Sequence, residues 1–417
     1  MLRSMLLEGF RSFEQTTTLP LAPLTILAGP NNVGKSSVIQ ALLSFIQSEQ
    51  AQSRDTLLLS GAWCDLGAFD QVVSASLPAD QQRFSIGLTG IWLAYEVDSL
   101  WSFGPPSDPT SSSAAILEVA YSADISTGRV TRGLSHGFPW SGEVVDAGVE
   151  RRSQGWARFE HPGQMMVSAD DTHEIQHKLL TPLDSERTHY VGPYRAPPQP
   201  LYTPRVSNIG PPLGRYGEHT AELLFRNRTQ RTDVLAPGAP SQDPQPLLSA
   251  VNAWWSHIFA GSLALQIDAP ARLGFTLAID TPSAERLGLG QVGLGLSQAL
   301  PIVAASLVSK PGDLILVETP EAHLNPGAQH RLADLFLALA RSGRQVIVET
   351  HSEHIVNAAR LAVKAGMSRD DVSILFFEQE DGRTVVQSIE LDEHGRALRW
   401  PAGFFDQAAK DLADLLR

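Results

Sequence analysis

Hydrophobic and polar positions near the amino end follow first a strand pattern and then a helix pattern. The runs SMLLEGF and LTILAG alternate as strands do, and Pro20 and Pro23 interrupt the chain between them. VIQALLSF then has apolar residues at helical spacing, directly after a loop that contains glycines. We therefore predict two strands and a first βα unit in this region.

The same alternation of apolar strands and amphipathic helices returns in the last third of the chain. The runs DLILVE and RQVIVETH are almost continuously apolar, as strands buried on both faces are. LGLSQALPIVAASLVS and GAQHRLADLFLALARSG have apolar residues at helical spacing. This order predicts an α/β fold with a parallel core sheet and an antiparallel sheet on the amino-terminal side.

Between these regions the amino-acid composition changes, and the predicted domain boundaries lie where it changes. From about residue 98 to 189, Ser, Gly and Pro separate short runs of alternating apolar and polar residues, which predicts an inserted β-rich lobe. This lobe could be a surface addition without a function of its own, or a surface that docks a partner. Residues 190–245 are rich in Pro and Arg and should hold only short elements. The predicted parts are 1–97 and 190–375 for an interrupted head, 98–189 for the lobe, and 376–417 for a carboxyl-terminal cap.

The cap is predicted to contain an alternating strand, a turn and a helix. TVVQSIEL alternates as a strand does, and DEHG follows as a turn. WPAGFFDQAAKDLADLL then predicts an amphipathic terminal helix. No segment has the sustained heptads that a long coiled-coil arm requires.

Composition narrows the class of protein. The 417 residues carry a formal net charge of -13, so the average surface repels nucleic acid, although a local basic groove stays compatible with it. The single cysteine excludes an internal disulfide framework and a thiolate-rich zinc site. No apolar stretch reaches the roughly 18 residues of a membrane helix, and charges come too early for a signal peptide. We expect a cytoplasmic protein without a membrane partner.

A phosphate-binding motif lies between a predicted strand and a predicted helix. Residues 29–36 read GPNNVGKS and match the pattern G-x-x-x-x-G-K-[ST]. In such a loop the backbone amides hold phosphates, Lys35 neutralises the β and γ groups, and the Ser36 hydroxyl ligates magnesium. We predict ATP and Mg²⁺ as cofactors, and the nucleotide-binding residues of this loop are Gly29, Asn31, Asn32, Gly34, Lys35, Ser36 and Ser37.

Three further features could complete a nucleotide site. Glu318 ends an apolar strand, as the magnesium-positioning carboxylate does; the less favoured interpretation is a solvated cap, since acids are common ahead of helices. His351 ends the next strand, at the sheet edge where ligands of open α/β folds bind, but it could be structural. Gly295 and Ser297 begin a predicted helix that could hold a second phosphate, or could form a simple turn.

The motifs together resemble those of a known ATPase class. GPNNVGKSS, GLGLSQ, VETPEAHLNP and VETHSEH are similar to the phosphate loop, the signature, Walker B with the D-loop, and the switch histidine of ABC-type ATPases. LEGFRSF, PEAHLNP and THSEHIVN resemble the OLD and RecF-like branch of soluble ABC ATPases, whose members serve DNA repair and anti-phage defence. GPYR near Tyr194 and WPAGFF resemble a defence-associated subgroup of unassigned function.

The resemblance implies a homodimer or a higher even oligomer. In this class two subunits enclose two ATP molecules, so Gly295 and Ser297 would contact the nucleotide of the opposite subunit, and Asn325 would cross the interface. The phosphate loop, Walker B and the switch histidine imply roles in catalysis. The candidate catalytic residues are Lys35, Glu318, Glu321 and His351, and the candidate magnesium ligands are Ser36 and Glu318.

The sequence also departs from the family pattern. Thr319 stands where Walker B usually has its hydrolytic glutamate, so Glu318 must hold the magnesium and hydrolysis should be slow. Glu321 and His323 are candidate substitutes, although each could equally be a residue of a helix start or of an interface. The stretch after His351 lacks the acidic cluster of the OLD nuclease domain, so we expect no nuclease in this chain.

Two functions remain in competition. The favoured one is an ATP-bound dimer that senses a phage or nucleic-acid cue and controls a separate effector protein, such as a nuclease. The alternative is a RecF-like DNA repair ATPase that clamps DNA on ATP binding, with the arginine-rich stretch from Arg195 to Arg231 lining the groove. A transporter motor is disfavoured, because the signature lacks a second glycine pair and no glutamine loop is evident.

Overall fold

A computed structural model describes most of the chain as two compact units. The described residues are 1–51, 53, 56–92, 95–108, 110–125, 128–136, 183–203, 210–238, 243–269 and 274–416. The first unit comprises Met1–Leu21, Asn32–Thr188 and Glu378–Val386, and the second comprises Ala22–Asn31, His189–Phe377 and Gln387–Arg417, each within the described ranges.

An antiparallel sheet forms the first unit, as predicted for the amino-terminal side. Its strands are β1 (Leu2–Glu8), β2 (Thr17–Pro20), β4 (Thr56–Leu58), β5 (Phe84–Trp92), β6 (Tyr95–Gly104), β7 (Ser113–Ile125) and β8 (Gly128–His136). They run in the order β2-β1-β5-β6-β7-β4, and β8 also pairs with β7. The prediction of two strands before the phosphate loop was wrong by one, because β2 forms a separate short strand before β3 (Leu24–Ala28).

Alternating burial explains how this sheet packs. Met5 and Leu7 of β1 are fully buried on one face, as period-two alternation requires. The helix α1 (Lys35–Gln50) brings Phe45 against the sheet, with its ring edge-on to Trp101 at 5.6 Å and to Phe103 at 6.0 Å. The short helix α2 (Phe69–Val72) adds Phe69, which stacks on Phe84.

The predicted lobe over residues 98–189 is described only in part. Within this range, residues 98–104, 113–125 and 128–136 lie in β6, β7 and β8 and extend the antiparallel sheet. Residues 137–182 lie outside the described residues, so an inserted lobe stays a prediction. The predicted boundaries at 97, 189 and 375 are likewise untested.

The central sheet of the second unit is largely parallel, which confirms the predicted fold class. Its strands are β3, β9 (Thr188–Val191), β15 (Leu314–Glu318), β16 (Gln345–Thr350) and β17 (Val372–Glu380), in the order β17-β3-β16-β15-β9. The strand β18 (Arg383–Ser388) pairs with β17 and lies mostly within the range Glu378–Val386 of the first unit. The pairs β17–β3, β3–β16 and β16–β15 are parallel. β3, β15 and β16 are buried along their whole length, which matches their continuous apolar sequence.

Helices and small sheets complete the second unit. The helices are α3 (Thr220–Asn227), α4 (Leu247–Phe259), α5 (Leu294–Val308), α6 (Pro326–Arg341), α7 (Glu353–Lys364) and α8 (Gln407–Leu415). The remaining strands are β10 (Arg231–Thr232) and β11 (Gln245–Pro246), and β12 (Ala264–Asp268), β13 (Thr276–Thr281) and β14 (Ala284–Gly288). The described residues between 190 and 245 hold only short elements, as predicted. Within the described ranges, no helix has both the length and the apolar character of a bilayer span.

The terminal helix begins later than its sequence pattern predicts. The prediction started it at Trp400, but α8 begins at Gln407. Gly403 and Phe405 have φ values of +82° and +51°, outside the helical region. Phe404 is fully buried and packs on Trp400 at 4.7 Å between ring centroids, so tertiary packing overrides the helical pattern.

A buried arginine fixes the start of β16 in the second unit. Arg344 is 1% exposed, and its guanidinium donates to both carboxylate oxygens of Asp233, at 2.6 and 3.2 Å. It also donates to the carbonyl oxygen of Ser309 at 2.7 Å. The hydrogen bond from Arg344 holds the pKa of Asp233 below its ordinary value.

Asp233→Asn should lower the free energy of unfolding by roughly 1–2 kcal/mol at neutral pH, because Arg344 stays buried while the half-exposed partner loses its charge. A depressed carboxyl pKa contributes stability above the unfolded value of about 3.9, and this is lost as pH falls through the folded pKa. Urea unfolding should therefore separate the two proteins at neutral pH and not in acid. Asp370→Asn, at a 90% exposed side chain, is the control. Equal midpoints at neutral pH would contradict the prediction.

Candidate functional site

The phosphate loop begins in the second unit with a turn that only glycine can make. Gly29 follows the last residue of β3 and has a φ of +145°. An ideal β-carbon on Gly29 would lie 2.2 Å from the carbonyl oxygen of Phe377, closer than any side chain allows. The chain therefore turns at the carboxyl end of β3, and the exposed Asn31 follows.

The second half of the loop lies in the first unit and starts α1. Asn32 and Gly34 have φ values of +62° and +94°, so the chain curls before the helix. Gly34 supplies no side-chain cap to α1, and no acid stands in the first turn of this fully described helix. Lys35 and Ser37 are buried, and Ser36 is half-buried. A helix start of this kind favours an anion such as phosphate.

Glu318 lies at the carboxyl end of β15 as a buried carboxyl. It is 4% exposed, and the Tyr190 hydroxyl donates to its Oε1 at 2.6 Å. Glu349 is its register partner on the neighbouring parallel strand β16. Burial, followed by the nearby Glu349 carboxylate, raises the pKa of Glu318 to about 8.

Arg195 holds the backbone on both sides of the position where the family glutamate is missing. Its guanidinium donates to the carbonyl oxygen of Glu318 at 2.8 Å and to that of Thr319 at 3.2 and 3.3 Å. Thr319 has a φ of +48°, a conformation that costs roughly 1–2 kcal/mol for a residue with a β-carbon. Burial lowers the pKa of Arg195 to about 10, so the guanidinium remains charged at neutral pH.

Glu321 joins the loop after β15 to the end of β16. One carboxylate oxygen accepts the Thr350 hydroxyl at 2.8 Å, and the other accepts the backbone N–H of His351 at 2.6 Å. The Thr319 amide also donates to the Glu349 carbonyl oxygen at 2.8 Å. The structure thus brings two of the predicted catalytic residues, Glu321 and His351, into direct contact.

Two side chains cap the helices that follow these strands. Asn325 begins α6, and its side-chain oxygen accepts the Ala328 amide at 2.9 Å. Ser352 begins α7 and accepts the amides of His354 and Ile355. The Ser352 hydroxyl also donates to the Gln329 side chain at 2.6 Å, which links the starts of α6 and α7. Asn325 is therefore a helix cap, and the interface role that the resemblance implies for it stays a prediction.

The signature residues lie in the first turn of α5. Gly293 precedes the helix, and Leu294 at its start is 49% exposed. A β-carbon on Gly295 would lie 2.7 Å from the carbonyl oxygen of His323, so this glycine packs directly on the loop after Glu321. The Ser297 hydroxyl donates to the Leu294 carbonyl oxygen at 2.9 Å and is half-buried.

Sequence reasoning missed three residues around Glu318. Tyr190 and Arg195 reach Glu318 from more than a hundred residues away, and local patterns carry no signal for such contacts. Arg195 was noticed only as part of GPYR and of the arginine-rich stretch, and Tyr190 lies outside the GPYR string. Glu349 could have been found, because an acid inside the buried run RQVIVETH is unusual.

Arg195 itself does not fit the alternative that placed the stretch from Arg195 to Arg231 along a DNA groove. Its side chain is buried and binds backbone carbonyls, so it does not line a groove. Arg226, further along the same stretch, pairs with Glu222 at 2.7 Å. These two arginines have partners inside the second unit.

Family comparisons agree with the motif assignment. Residues 1–99 match the family described as "AAA ATPase domain", and residues 279–357 match the one described as "AAA domain, putative AbiEii toxin, Type IV TA system". These two ranges carry the phosphate loop and the motifs from Gly295 to His351. Residues 367–415 match the family described as "Protein of unknown function (DUF3696)". The chain therefore carries ATPase domains, and their family implies ATP as the nucleotide.

Individual relatives are distant. The Old nuclease of Escherichia phage P2 is 22% identical over 391 residues, which cover 88% of this chain and 59% of that protein. The chain is a distant relative of this nuclease and spans less than two thirds of its length.

Solved structures similar to this chain include two SMC heads. The SMC head domain from Thermotoga maritima is 14% identical with a TM-score of 0.43, covering 94% of this chain and 99% of that one. The Smc head domain with an extended coiled coil, bound to the C-terminal domain of ScpA derived from Pyrococcus furiosus, is 12% identical with a TM-score of 0.44, covering 100% and 99%.

Arg195→Met should lower the free energy of unfolding by about 2–4 kcal/mol, because the buried Glu318 carbonyl and its neighbour lose a charged donor. The methionine keeps much of the side-chain volume. Urea unfolding checks the loss, and Arg369→Met, at a 62% exposed side chain, is the matched control. An unchanged midpoint would show that Arg195 does not hold this loop.

Proposed function

We propose that this chain binds ATP with magnesium between two of its copies, hydrolyses it slowly, and controls a separate effector in anti-phage defence. The match to a family described with a toxin–antitoxin system and the distant relation to a phage-encoded Old nuclease support this setting. The nuclease activity belongs to that relative. The regulatory role of this chain rests on its own nucleotide motifs.

The contact of Glu321 with the end of β16 carries the proposal. Thr319 offers no carboxylate at the position of the family glutamate, whereas Glu321 is fixed by Thr350 and His351. A carboxylate has about four lone-pair sites, so two accepted hydrogen bonds leave capacity to orient a water molecule. Glu321 is half-buried, so water can reach it. We assign it the role of the missing base, and we assign His351 contact with the γ-phosphate.

The donors around Glu318 suit magnesium. Mg²⁺ at nucleotide sites usually takes one or two protein carboxylates and completes its shell with phosphates and water. Glu318 and Glu349 supply two carboxyl groups on adjacent strands, and the described residues contain no cluster of three such ligands. Glu318 and the Ser36 hydroxyl would hold the ion, which when bound neutralises charge on the phosphates. Lys35 and the loop amides would hold the phosphates themselves.

The dimer is proposed from the signature motif. Leu294 is exposed at the start of α5, beside Gly295 and Ser297, so this helix start is open to a second molecule. No acid stands in the first turn of α5, a fully described helix, which favours a phosphate there. Gly295 and Ser297 would then contact the nucleotide of the opposite subunit.

Lys35→Ala and Glu318→Gln should both abolish ATP turnover and the ATP-dependent dimer. Without metal, Glu318 has a pKa of about 8 and is largely protonated at neutral pH. The variant Glu318→Gln should therefore preserve or raise the melting temperature. The measurements are phosphate release, mass by light scattering with and without ATP, and thermal unfolding. In phage-challenged cells, both variants should lose protection. Wild-type turnover in either variant would contradict the assigned site.

Glu321→Gln should lower turnover by about 10²-fold, the usual contribution of a general base, and change ATP affinity by less than about threefold. Thr350→Val removes one hydrogen bond to Glu321 but leaves its carboxylate, so its loss should be far smaller. Glu285→Gln, at an exposed acid of β14, is the matched control. Equal losses in Glu321→Gln and Thr350→Val would mean that Glu321 only braces the loop.

A further inference from the structure

A cavity of about 560 Å³ lies in the second unit, between α7 and the turn at residues 392–396. This volume is in the range of small-molecule sites. Arg360 and Lys364 of α7 and Arg396 of the turn contribute its cationic lining, and His394 adds an imidazole. Among the described residues that line it, none is acidic, although the whole chain carries a net charge of -13. The turn belongs to the range that matches the family of unknown function.

One face of α7 forms the floor of the cavity. Asn357, Arg360, Leu361 and Lys364 are spaced by three, four and seven residues, so they share a single helical face. This face combines cationic heads with the apolar surface of Leu361, which is 51% exposed. A ligand on it would meet charge and an apolar contact together.

The turn is fixed against this helix. The Arg360 Nε donates to the Gly395 carbonyl oxygen at 3.1 Å, and a β-carbon on Gly395 would lie 2.0 Å from the Arg360 carbonyl oxygen. The Arg360 guanidinium also lies over the Trp400 ring, 4.9 Å from its centroid. The cavity wall is therefore held in place before any ligand arrives, which reduces the ordering cost of binding.

The turn contains two acidic residues, Asp392 and Glu393, and neither lines the cavity. The Glu393 side chain is 87% exposed, and its carboxylate lies 3.7 Å from the His394 imidazole. The Asp392 carboxylate accepts the amides of His394 at 2.9 Å and of Arg396 at 2.7 Å, which closes the turn. In the described part of the chain, neither Lys364 nor Arg396 forms an ion pair with a carboxylate. Lys364 and Arg396 are exposed and line a preformed cavity to which no carboxylate contributes, although Asp392 of the turn attracts Arg396 electrostatically.

We propose that this cavity binds the phosphate of a nucleotide. Lys364 and Arg396 bind the phosphate oxygens through charge-assisted hydrogen bonds. The face made by Leu361 and by the Arg360 guanidinium on Trp400 receives the base, since aromatic and guanidinium surfaces stack on every base. The nucleotide is either free or part of a single strand, and both sources present the same phosphate. Asn357 ends the THSEHIVN string, whereas Lys364 and Arg396 lie outside the ATPase motifs, and the proposed binding does not require ATP hydrolysis.

Binding of two probes to the full chain, without ATP or magnesium, tests this site. The probes are a fluorescein-labelled oligothymidylate of about 12 nucleotides, followed by anisotropy, and AMP, followed by calorimetry. The double variant Lys364→Ala and Arg396→Ala should weaken binding by at least about tenfold, and binding should weaken with salt. Both residues are exposed, so the variant should melt as the wild type does. Arg369→Ala, an exposed cation outside the cavity, should stay within about twofold.

The two arms separate the sources of the phosphate. Binding of AMP that the double variant loses supports a free nucleotide, and binding of the oligonucleotide alone supports a strand. The proposal is overturned if neither probe binds, or if the double variant binds as the wild type does. It is also overturned if binding is lost in Lys35→Ala but kept in the double variant, since the probe would then occupy the phosphate loop.

Discussion

The buried carboxyl of Glu318 imposes the strongest constraint on the second unit. Two carboxyl groups at the ends of adjacent parallel strands cannot both ionise at low dielectric without a compensating charge. In the structure, the Tyr190 hydroxyl donates a hydrogen bond to Glu318, and the charged guanidinium of Arg195 lies nearby. Burial still dominates, since the pKa of Glu318 is raised to about 8. A divalent cation at this place would relieve the repulsion and favour the ionised form.

The loop after β15 depends on the same neighbours. Arg195 binds the carbonyls of Glu318 and Thr319, so it secures the backbone where Thr319 adopts a left-handed conformation. Glu321, two residues later, binds the end of β16. Walker B and the switch histidine are therefore parts of one hydrogen-bonded group. A substitution at the end of β15 should change the geometry at the end of β16, and the reverse should also hold.

Much of the fold was predictable because local patterns determine it. The apolar runs of β15 and β16, the helices α5 and α6, and the loop before α1 all follow from composition and spacing within short windows. The late start of α8 did not follow, because the packing of Phe404 outweighs a helical pattern. Local preference is a weak guide where aromatic side chains can reach a core.

The candidate site was predictable only in its local parts. Motif residues such as Lys35, Glu318 and His351 were identified from their position at strand ends and helix starts. Tyr190 and Arg195 were not, since their roles arise from contacts across more than a hundred residues of chain. The sequence could show which motif residues need hydrogen-bond partners, but not which distant side chains supply these hydrogen bonds.

The register of the two strands has a consequence for changes in chain length. Glu318 and Glu349 face each other because β15 and β16 pair in parallel from Leu314 and Gln345 onward. Side chains alternate between the faces of a sheet, so inserting or deleting one residue within β15 would turn Glu318 to the opposite face. Substitution of an apolar residue changes packing alone, whereas an insertion removes the carboxyl from its partners. We expect these strands to accept new residue types far more readily than new lengths.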